Sequence, residues 1–327
     1  MSDLRVVEDI VAEYYGFQAR AYPLVGYDDL NFKLETNSAK YVLKLSQAEL
    51  SDLEFENEIM LYLYSDFGDI IPQLIAAKNK SFINSVSLNG QEYLMRMISF
   101  CRGSSLHSVN NPSPKLIDSF ATSLAKIDKK LFQFSHPNQS RYIAWDAKYS
   151  LKNINLNKKY LSKTEQELID YYLNNHLKDL EQSFIELRQS IIHNDANDYN
   201  ILVDSKEEEI TAIIDFGDSV KTYLVNELAI ACTYLMISNA KPFELAAGFV
   251  ASYNQTLALK EIEIENLYSF IILRLCLSVT MSAKASQDRP TDNYINVSQK
   301  DAWQFLKTYA QLDQTLATDY LKEKINV

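Results

Sequence analysis

Glycine and proline are scarce in this sequence, with only 7 of each among 327 residues. Globular proteins use about 7% glycine and about 5% proline on average, and both residues disfavour helices. Their scarcity predicts a protein that is rich in helix. Hydrophobic residues make up 47% of the chain and charged residues 23%, a balance that excludes disordered, collagenous and fibrous proteins.

Cysteine and positive charge are also limited. Cys101, Cys232 and Cys276 are widely spaced in apolar stretches, which predicts buried, reduced thiols rather than a disulfide framework. No clustered Cys/His spacing indicates a zinc site. The chain has 32 Lys plus Arg against 43 Asp plus Glu, a net charge of −11, so we expect no nucleic-acid partner.

Long hydrophobic runs and a secretion signal are missing as well. The apolar run 228–237 is too short to span a bilayer, and Arg274 interrupts the longer run around 270–281. The first ten residues contain acids and no apolar segment of the kind found in signal peptides. We therefore expect a cytoplasmic protein without a membrane partner, long enough for two domains.

The distribution of hydrophobic periodicity divides the chain into two parts. Residues 31–35 and 41–45 alternate apolar and polar side chains around a polar turn, which predicts a β-hairpin. A helical pattern follows from Leu53 onward, and helix dominates after about residue 100. We expect an α+β fold with a small β-rich lobe, residues 1–98, and a larger helical lobe, residues 99–327.

The segment most informative about function is 191–218, which reads IIHNDANDYNILVDSKEEEITAIIDFGD. Two short apolar runs around a polar turn predict a second hairpin, with Asn200 at its open end opposite Asp215 and with Asp195 just before it. Carboxylate and amide oxygens suit Mg²⁺, which completes its shell with phosphate and water. The segment therefore predicts a magnesium site.

The same polar residues also have local structural interpretations. Asp and Asn favour turns because their side chains bond to nearby backbone groups, and we predict this turn role for Asp198 and Asp204. His193 is expected to be structural, since buried histidines commonly bond to the backbone.

Two motifs in this segment resemble those of a known superfamily. His193-Asn194-Asp195 followed by Asn200 fits the spacing H-x-D-x-x-x-x-N, and Asp215-Phe216-Gly217 fits D-F-G. Together they resemble the protein-kinase-like superfamily in its aminoglycoside phosphotransferase and choline kinase branch, and look closest to the hydroxylysine kinase group. The resemblance implies a two-lobed fold, a catalytic Asp195 that accepts or orients the substrate hydroxyl proton, and Mg²⁺ held by Asn200 and Asp215.

The resemblance also implies a nucleotide site in the first lobe. Lys44 resembles the lysine that reaches the α- and β-phosphates, with Glu56 as its predicted partner and Glu58 as the alternative. The loop 26–31 lies where a phosphate-covering loop is expected but lacks G-x-G-x-x-G. Backbone N–H groups of this loop or Asn31 are the candidate phosphate contacts, and Asn31 is equally suited to be a strand-edge residue.

The segment that joins the lobes is expected to read the purine through its backbone. Residues Met97 to Phe100 precede Arg102-Gly103, and backbone groups there, including those of Met97 and Ser99, are the predicted contacts. The sequence leaves the choice between ATP and GTP open, because backbone recognition does not depend on side chains.

Five residues are candidate substrate contacts. Asp218 and Glu227 are each suited to a substrate ammonium, although Glu227 is equally suited to its own helix N-terminus. Arg274 interrupts an apolar helix and requires a partner, either a substrate carboxylate or an internal acid. Trp145 and Tyr294 resemble cleft residues of this branch, with core packing as the alternative.

These observations predict a small-molecule kinase. We expect it to transfer the γ-phosphoryl group of ATP or GTP, with Mg²⁺, to the hydroxyl of an amine-bearing amino acid or amino alcohol, as a monomer or homodimer. The alternatives are an aminoglycoside- or choline-type acceptor, or a pseudokinase that binds nucleotide without turnover. No A-P-E signature follows Asp215, which disfavours a protein substrate.

Overall fold

The computed structural model describes residues 4–24, 26, 29–237, 239–288 and 299–325. The chain divides into two compact units: unit 1 comprises Met1–Gly103 and Thr211–Gly217, and unit 2 comprises Ser104–Ile210 and Asp218–Val327. The D-F-G motif thus lies in unit 1, whereas Asp195 and Asn200 lie in unit 2. The predicted lobe boundary at 98/99, with the roles assigned to each lobe, stays a prediction.

Unit 1 is built around an antiparallel sheet. Its strands run in the order β1-β2-β3-β6-β4, with β5 beside β6. The elements in chain order are α1 (Leu4–Tyr15), β1 (Arg20–Leu24), β2 (Leu30–Glu35), β3 (Lys40–Ser46), α2 (Leu50–Phe67), β4 (Leu74–Ile75), β5 (Asn84–Leu88) and β6 (Gln91–Ser99). The first predicted hairpin is confirmed as β2–β3.

Side chains alternate between the two faces of this sheet, and one face forms the hydrophobic core of unit 1. Leu43 and Leu45 of β3 point into the hydrophobic core of unit 1, so Lys44 between them points to the other face. Lys44 is the register partner of Asn31 on β2 and of Arg96 on β6. Two cationic residues are therefore neighbours on one face of the sheet, which requires nearby acids.

A tight turn divides residues 82–98 into the two strands β5 and β6. Asn89 and Gly90 both have positive φ, 54° and 79°, as the two central residues of a type I′ hairpin turn require. β5 and β6 pair across this turn, with Leu88 opposite Gln91. The Asn-Gly pair is the sequence signal for this turn.

Unit 2 is predominantly helical. Its strands pair as β7 with β9 and β8 with β11. The first residue of β10 (Ile210–Ile213) belongs to unit 2 and the other three belong to unit 1. The remaining elements are β7 (Ser104–Ser105), α3 (Pro114–Leu131), α4 (Ala147–Asn157), α5 (Lys163–Asn175), α6 (Leu180–Ser183), β8 (Gln189–Ile192), β9 (Ile201–Val203), β11 (Val220–Tyr223), α7 (Leu224–Ile237), α8 (Pro242–Thr256), α9 (Glu261–Asp288), α10 (Gln299–Tyr309) and α11 (Gln314–Ile325).

The 28-residue helix α9 forms much of the core of unit 2. Among the helices that the structure describes, it has the length and composition of a membrane span, with a mean hydropathy of 1.4 over its most apolar window. However, 83% of that window is buried inside the protein, and a long core helix has the same composition. α4 and α7 both pack against α9, the helix that carries Arg274.

Candidate active site

Asp195 lies in a loop of unit 2 and is held by three side chains. Its Oδ2 accepts hydrogen bonds from Asn200 Nδ2 at 2.8 Å and from Asn197 Nδ2 at 2.9 Å. Its Oδ1 accepts from Arg274 Nη2 at 2.8 Å. The carboxylate is therefore fixed in orientation, while 23% of its side chain stays exposed.

Asn197, which the sequence reasoning did not single out, closes the turn after Asp195. Its Oδ1 accepts from the backbone N–H of Tyr199 at 2.8 Å and of Asn200 at 3.2 Å. Asp198, the predicted turn residue, instead lies 2.8 Å from His107 Nδ1 through its Oδ2. The turn role predicted for Asp198 thus falls to Asn197, and Asp198 joins this loop to the residues that follow β7. The turn role predicted for Asp204 is confirmed, because its carboxylate accepts from the backbone N–H groups of Glu208 and Glu209.

His193 and Asn194 support the backbone of the same loop. His193 is fully buried, and its Nδ1 accepts from the backbone N–H of Asp195 at 3.2 Å, which agrees with the predicted structural role. Asn194 has a φ of 64°, a left-handed conformation that asparagine tolerates better than most residues. Its side chain donates to the carbonyl of Asp218 and accepts from Asn226.

Glu227 lies beneath this loop rather than in contact with a substrate. Its side chain is 0% exposed, and its Oε2 accepts from the backbone N–H of Asn194 at 2.9 Å. Burial, reinforced by the charge of Asp128, raises the pKa of Glu227 well above its usual range. The prediction of a direct ammonium contact is therefore wrong, whereas its place in the first turn of α7 is as expected.

Asp128 is a second buried acid that the sequence reasoning missed. It lies on α3 and accepts from the Tyr253 hydroxyl at 2.6 Å. Burial raises the pKa of Asp128 to about 7, because the charged form loses its hydration. The available signal was its position next to Ile127 within the apolar stripe of α3.

Arg274 finds its partner in Asp195 itself. Its side chain is 4% exposed, and its guanidinium lies 4.9 Å from the ring centroid of Trp145 and 5.6 Å from that of Tyr234. Burial lowers the pKa of Arg274, but Tyr234 and Asp195 outweigh this effect and the net pKa is raised. The internal-acid alternative is thus observed, and Trp145 contacts this cation.

The remaining predicted substrate contacts are Asp218 and Tyr294. The carboxylate of Asp218 contributes to the raised pKa of Arg274, and its carbonyl supports Asn194, but its role toward a substrate stays a prediction. Tyr294 lies outside the described residues.

In unit 1, Lys44 is enclosed by acids. Its Nζ lies 3.1 Å from Asp215 Oδ1 and 3.8 Å from Asp29 Oδ2. Burial lowers the pKa of Lys44, but the negative charges of Asp215 and Glu56 raise it by more, so that the net pKa is raised. Lys44 therefore carries a positive charge at neutral pH, as a phosphate-binding residue requires.

Glu56 pairs with Arg96, not with Lys44 as predicted. Arg96 Nη2 donates to Glu56 Oε2 at 2.5 Å, and Arg96 Nη1 donates to Asn57 Oδ1 at 3.3 Å. Arg96 is buried, and a buried guanidinium requires a counter-charge, which the Glu56 carboxylate supplies. Glu58, the alternative partner, is exposed. The missed signal was an arginine within the apolar run 93–98.

Asn31 supports the loop that precedes β2. A Cβ at Gly26 would lie 2.3 Å from Asn31 Nδ2 and 2.6 Å from the carbonyl of Asp29, so only glycine fits at position 26. The Oδ1 of Asn31 is buried without a hydrogen-bond partner in the part of the chain that the structure describes. Its proposed contact with a phosphate stays a prediction.

The backbone of the lobe-joining segment is largely engaged within unit 1. Met97 is buried and paired in the sheet with Leu43 on one side and Ile75 on the other. The N–H of Ser99 donates to the carbonyl of Gln73 at 2.8 Å, and that of Phe100 to Lys40 at 3.1 Å. These two N–H groups are therefore engaged within unit 1, and recognition of a purine by other backbone groups of this segment, carbonyls included, stays a prediction.

The two predicted magnesium ligands have suitable oxygen atoms. Asn200 uses its Nδ2 toward Asp195, which leaves its Oδ1 without a hydrogen bond to any described residue. Asp215 is 52% exposed and has a φ of 67°. No cluster of three or more His, Cys, Asp or Glu side chains within the described ranges could hold a metal by itself, so this site would rely on phosphate and water. Joint binding stays a prediction.

The sequence matches the family model described as "Phosphotransferase enzyme family" over residues 22–262. Hydroxylysine kinase of Mus musculus is 26% identical, with 93% of this chain and 88% of the relative covered. Hydroxylysine kinase of Danio rerio is 24% identical, with 94% and 91% covered.

Solved structures with the same fold include kinases of small molecules. A microcompartment-associated aminopropanol kinase has a TM-score of 0.74 at 17% identity, with 99% of both chains covered. An amicoumacin kinase in complex with AMP-PNP, Ca²⁺ and Ami has a TM-score of 0.72 at 16% identity, covering 94% of this chain and 93% of the other. These similarities confirm the predicted kinase-like fold.

Proposed function

Because the chain belongs to the phosphotransferase enzyme family, we propose that it transfers the γ-phosphoryl group of a nucleoside triphosphate to the hydroxyl of an amino acid or amino alcohol. Its relatives named hydroxylysine kinase align along most of the chain, which supports an acceptor that carries an amine. The structural similarity to an aminopropanol kinase supports the same class.

The observation that carries the proposal is the fixed carboxylate of Asp195. Three donors, Asn197, Asn200 and Arg274, orient it, and its partial exposure leaves room for a substrate hydroxyl. A carboxylate within hydrogen-bond reach can orient that hydroxyl and accept its proton as the phosphoryl group transfers. The geometry supports Asp195 as the catalytic residue.

Lys44 and two oxygen donors supply the phosphate side of the proposal. Lys44, which keeps its positive charge, would bind the α- and β-phosphates. Asn200 Oδ1 and the Asp215 carboxylate would hold Mg²⁺, which when bound neutralises charge on the transferred group. Hard oxygen donors of this kind fit Mg²⁺.

The proposal also covers the phosphoryl donor, location and assembly. ATP or GTP would serve as donor, and the protein would act in the cytoplasm as a monomer or homodimer. Its net charge of −11 supports the absence of a nucleic-acid partner.

A turnover assay tests the proposal. The purified chain is incubated with Mg²⁺, ATP or GTP and a panel of hydroxy amino acids, amino alcohols, choline and aminoglycosides, and nucleoside diphosphate is measured. Asp195→Asn should reduce kcat by about 10²–10⁴-fold with nucleotide affinity retained. Asp204→Asn is the matched control, because asparagine keeps the turn acceptor of Asp204. Nucleotide binding by wild type without turnover on any acceptor would support a pseudokinase instead.

A further inference from the structure

The guanidinium of Arg274 has hydrogen-bond donors that no part of the described structure uses. Its Nη2 donates to Asp195 Oδ1 at 2.8 Å and to the Tyr234 hydroxyl at 3.4 Å. Its Nε and Nη1 are buried, yet neither has a hydrogen-bond partner among the residues that the structure describes. Buried charged donors without acceptors are costly, so these two nitrogen atoms indicate a missing anionic partner.

The side chain is held in place before any such partner binds. The rings of Trp145 and Tyr234 both lie against the guanidinium, and stacking on aromatic faces restricts its plane. Trp145 precedes Asp146, whose Oδ1 accepts from the backbone N–H of Lys148 and caps α4. Because α4 packs against α9, Trp145 lies just before a helix that packs against the helix carrying Arg274.

The position of Arg274 relates the missing anion to the reaction. One nitrogen of the guanidinium donates to Asp195, the residue proposed to orient the substrate hydroxyl and accept its proton. The other two nitrogen atoms belong to the same planar group. An anion bound there would lie close to the reacting hydroxyl. A carboxylate fits this requirement, because an ionised acceptor bonds strongly to a guanidinium N–H. Nε and Nη1 lie on different edges of the group, so each can give such an anion a single hydrogen bond.

We propose that Arg274 binds the carboxylate of the acceptor, and that the preferred acceptor is therefore a hydroxy amino acid rather than an amino alcohol. This inference rests on the proposed function. The transferred phosphoryl group is the other anion that these donors could bind, but Lys44 and the proposed Mg²⁺ already serve that group. If Arg274 bound the phosphoryl group instead, its replacement would lower kcat/KM for all acceptors by the same factor. Binding of the acceptor carboxylate would affect only acceptors that carry one.

Matched acceptors test the inference. Each pair keeps its hydroxyl and an amine and differs in the carboxylate: homoserine with 3-amino-1-propanol, threonine with 1-amino-2-propanol, and 5-hydroxylysine with 1,5-diaminopentan-2-ol. For wild type we expect kcat/KM to favour the acid of at least one pair by about 10²-fold, because a buried polar site rejects analogues that leave it unpaired. Arg274→Gln should bring this ratio close to 1, mainly by raising KM for the acid.

The ratio separates carboxylate binding from the support that Arg274 gives to Asp195. Loss of that support lowers kcat/KM for both members of a pair by the same factor, so it leaves their ratio unchanged. Arg274→Lys, which keeps the charge but not the planar fork, should retain an intermediate ratio. It also serves if Arg274→Gln fails to fold, which thermal denaturation of both variants reveals.

Two outcomes would overturn the inference: a wild-type ratio near 1 in every pair, or an Arg274→Gln ratio equal to that of wild type, which means equal losses for the amino acid and the amino alcohol. If wild type phosphorylates no acceptor, the proposed function fails instead. Calorimetric titration of the same pairs then decides the inference separately. Acid-selective binding that Arg274→Gln abolishes supports it, and binding without that selectivity contradicts it.

Discussion

The backbone N–H of Asn194 donates to Glu227 Oε2 at 2.9 Å, which connects the residue before Asp195 to the first turn of α7. Both residues are buried. The contact positions the loop that carries Asp195, because a buried N–H group must be paired and its only acceptor among the described residues is this carboxyl. Glu227 is thus a positioning residue, which acts through the backbone.

Replacing Glu227 with alanine should destabilise the protein more than replacing it with glutamine. Glu227→Ala leaves the Asn194 N–H unpaired and opens a cavity, with an expected loss of about 2–4 kcal/mol in the free energy of unfolding. Glu227→Gln keeps an acceptor oxygen, and its neutral amide matches the protonated carboxyl that the raised pKa favours. We expect a loss below about 1.5 kcal/mol in urea denaturation. Equal losses would contradict this assignment.

The buried pair of Glu56 and Arg96 makes a second prediction. Glu56→Gln leaves the Arg96 guanidinium without its counter-charge, so the free energy of unfolding should fall by about 3 kcal/mol. Glu54→Gln, on the exposed side of the same helix, should change it by less than about 0.5 kcal/mol. The double variant Glu56→Gln/Arg96→Met should recover part of the loss, since it removes the unpaired charge. A double variant less stable than Glu56→Gln would argue against the pair.

The buried Asp128 predicts a pH dependence of stability. Its pKa is raised from 3.8 to about 7, so the folded protein retains this proton at pH values at which the unfolded chain has released it. The resulting stabilisation is fully present below about pH 4 and is lost as the pH rises to about 7. The urea midpoint of wild type should therefore fall between pH 5 and pH 8.

Asp128→Asn should show a smaller fall over the same range, because the amide cannot titrate while its oxygen still accepts from the Tyr253 hydroxyl. Asp118→Asn, an exposed position on the same helix, is the control and should follow wild type. Parallel profiles for Asp128→Asn and wild type would show that Asp128 is ionised in the folded protein throughout.

Local patterns in the sequence accounted for the elements and for the composition of the site. Alternation around a polar turn gave the hairpin β2–β3, and the spacing from Asp195 to Asn200 brought these two side chains within 2.8 Å. The same reasoning failed where a residue type suited to a local turn also suits a contact with a distant residue. At Asp198, a side chain suited to a turn pairs instead with His107, which is 91 residues earlier in the chain.

Polar residues inside apolar segments were recognisable, but their partners were not. Arg274 interrupts a hydrophobic helix, which indicates that it needs an acid, yet only the structure identifies Asp195 as that acid. Their positions in the sequence predict that Lys44 pairs with Glu56, whereas Arg96 on the adjacent strand binds the Glu56 carboxylate. Several acids are possible partners for each buried cation, and the sequence does not show which of them lies nearest to it in the fold.

What the sequence by itself determined about this protein is its secondary structure and the identity of the loop around Asp195. Periodicity and hydrogen bonds between residues a few positions apart control both, and each can be recognised within a short window. Only the tertiary structure decided which buried charges meet, as in the pairs Arg96–Glu56 and Arg274–Asp195. Burial requires that each charge be compensated, but the packing of distant strands and helices decides which group compensates it.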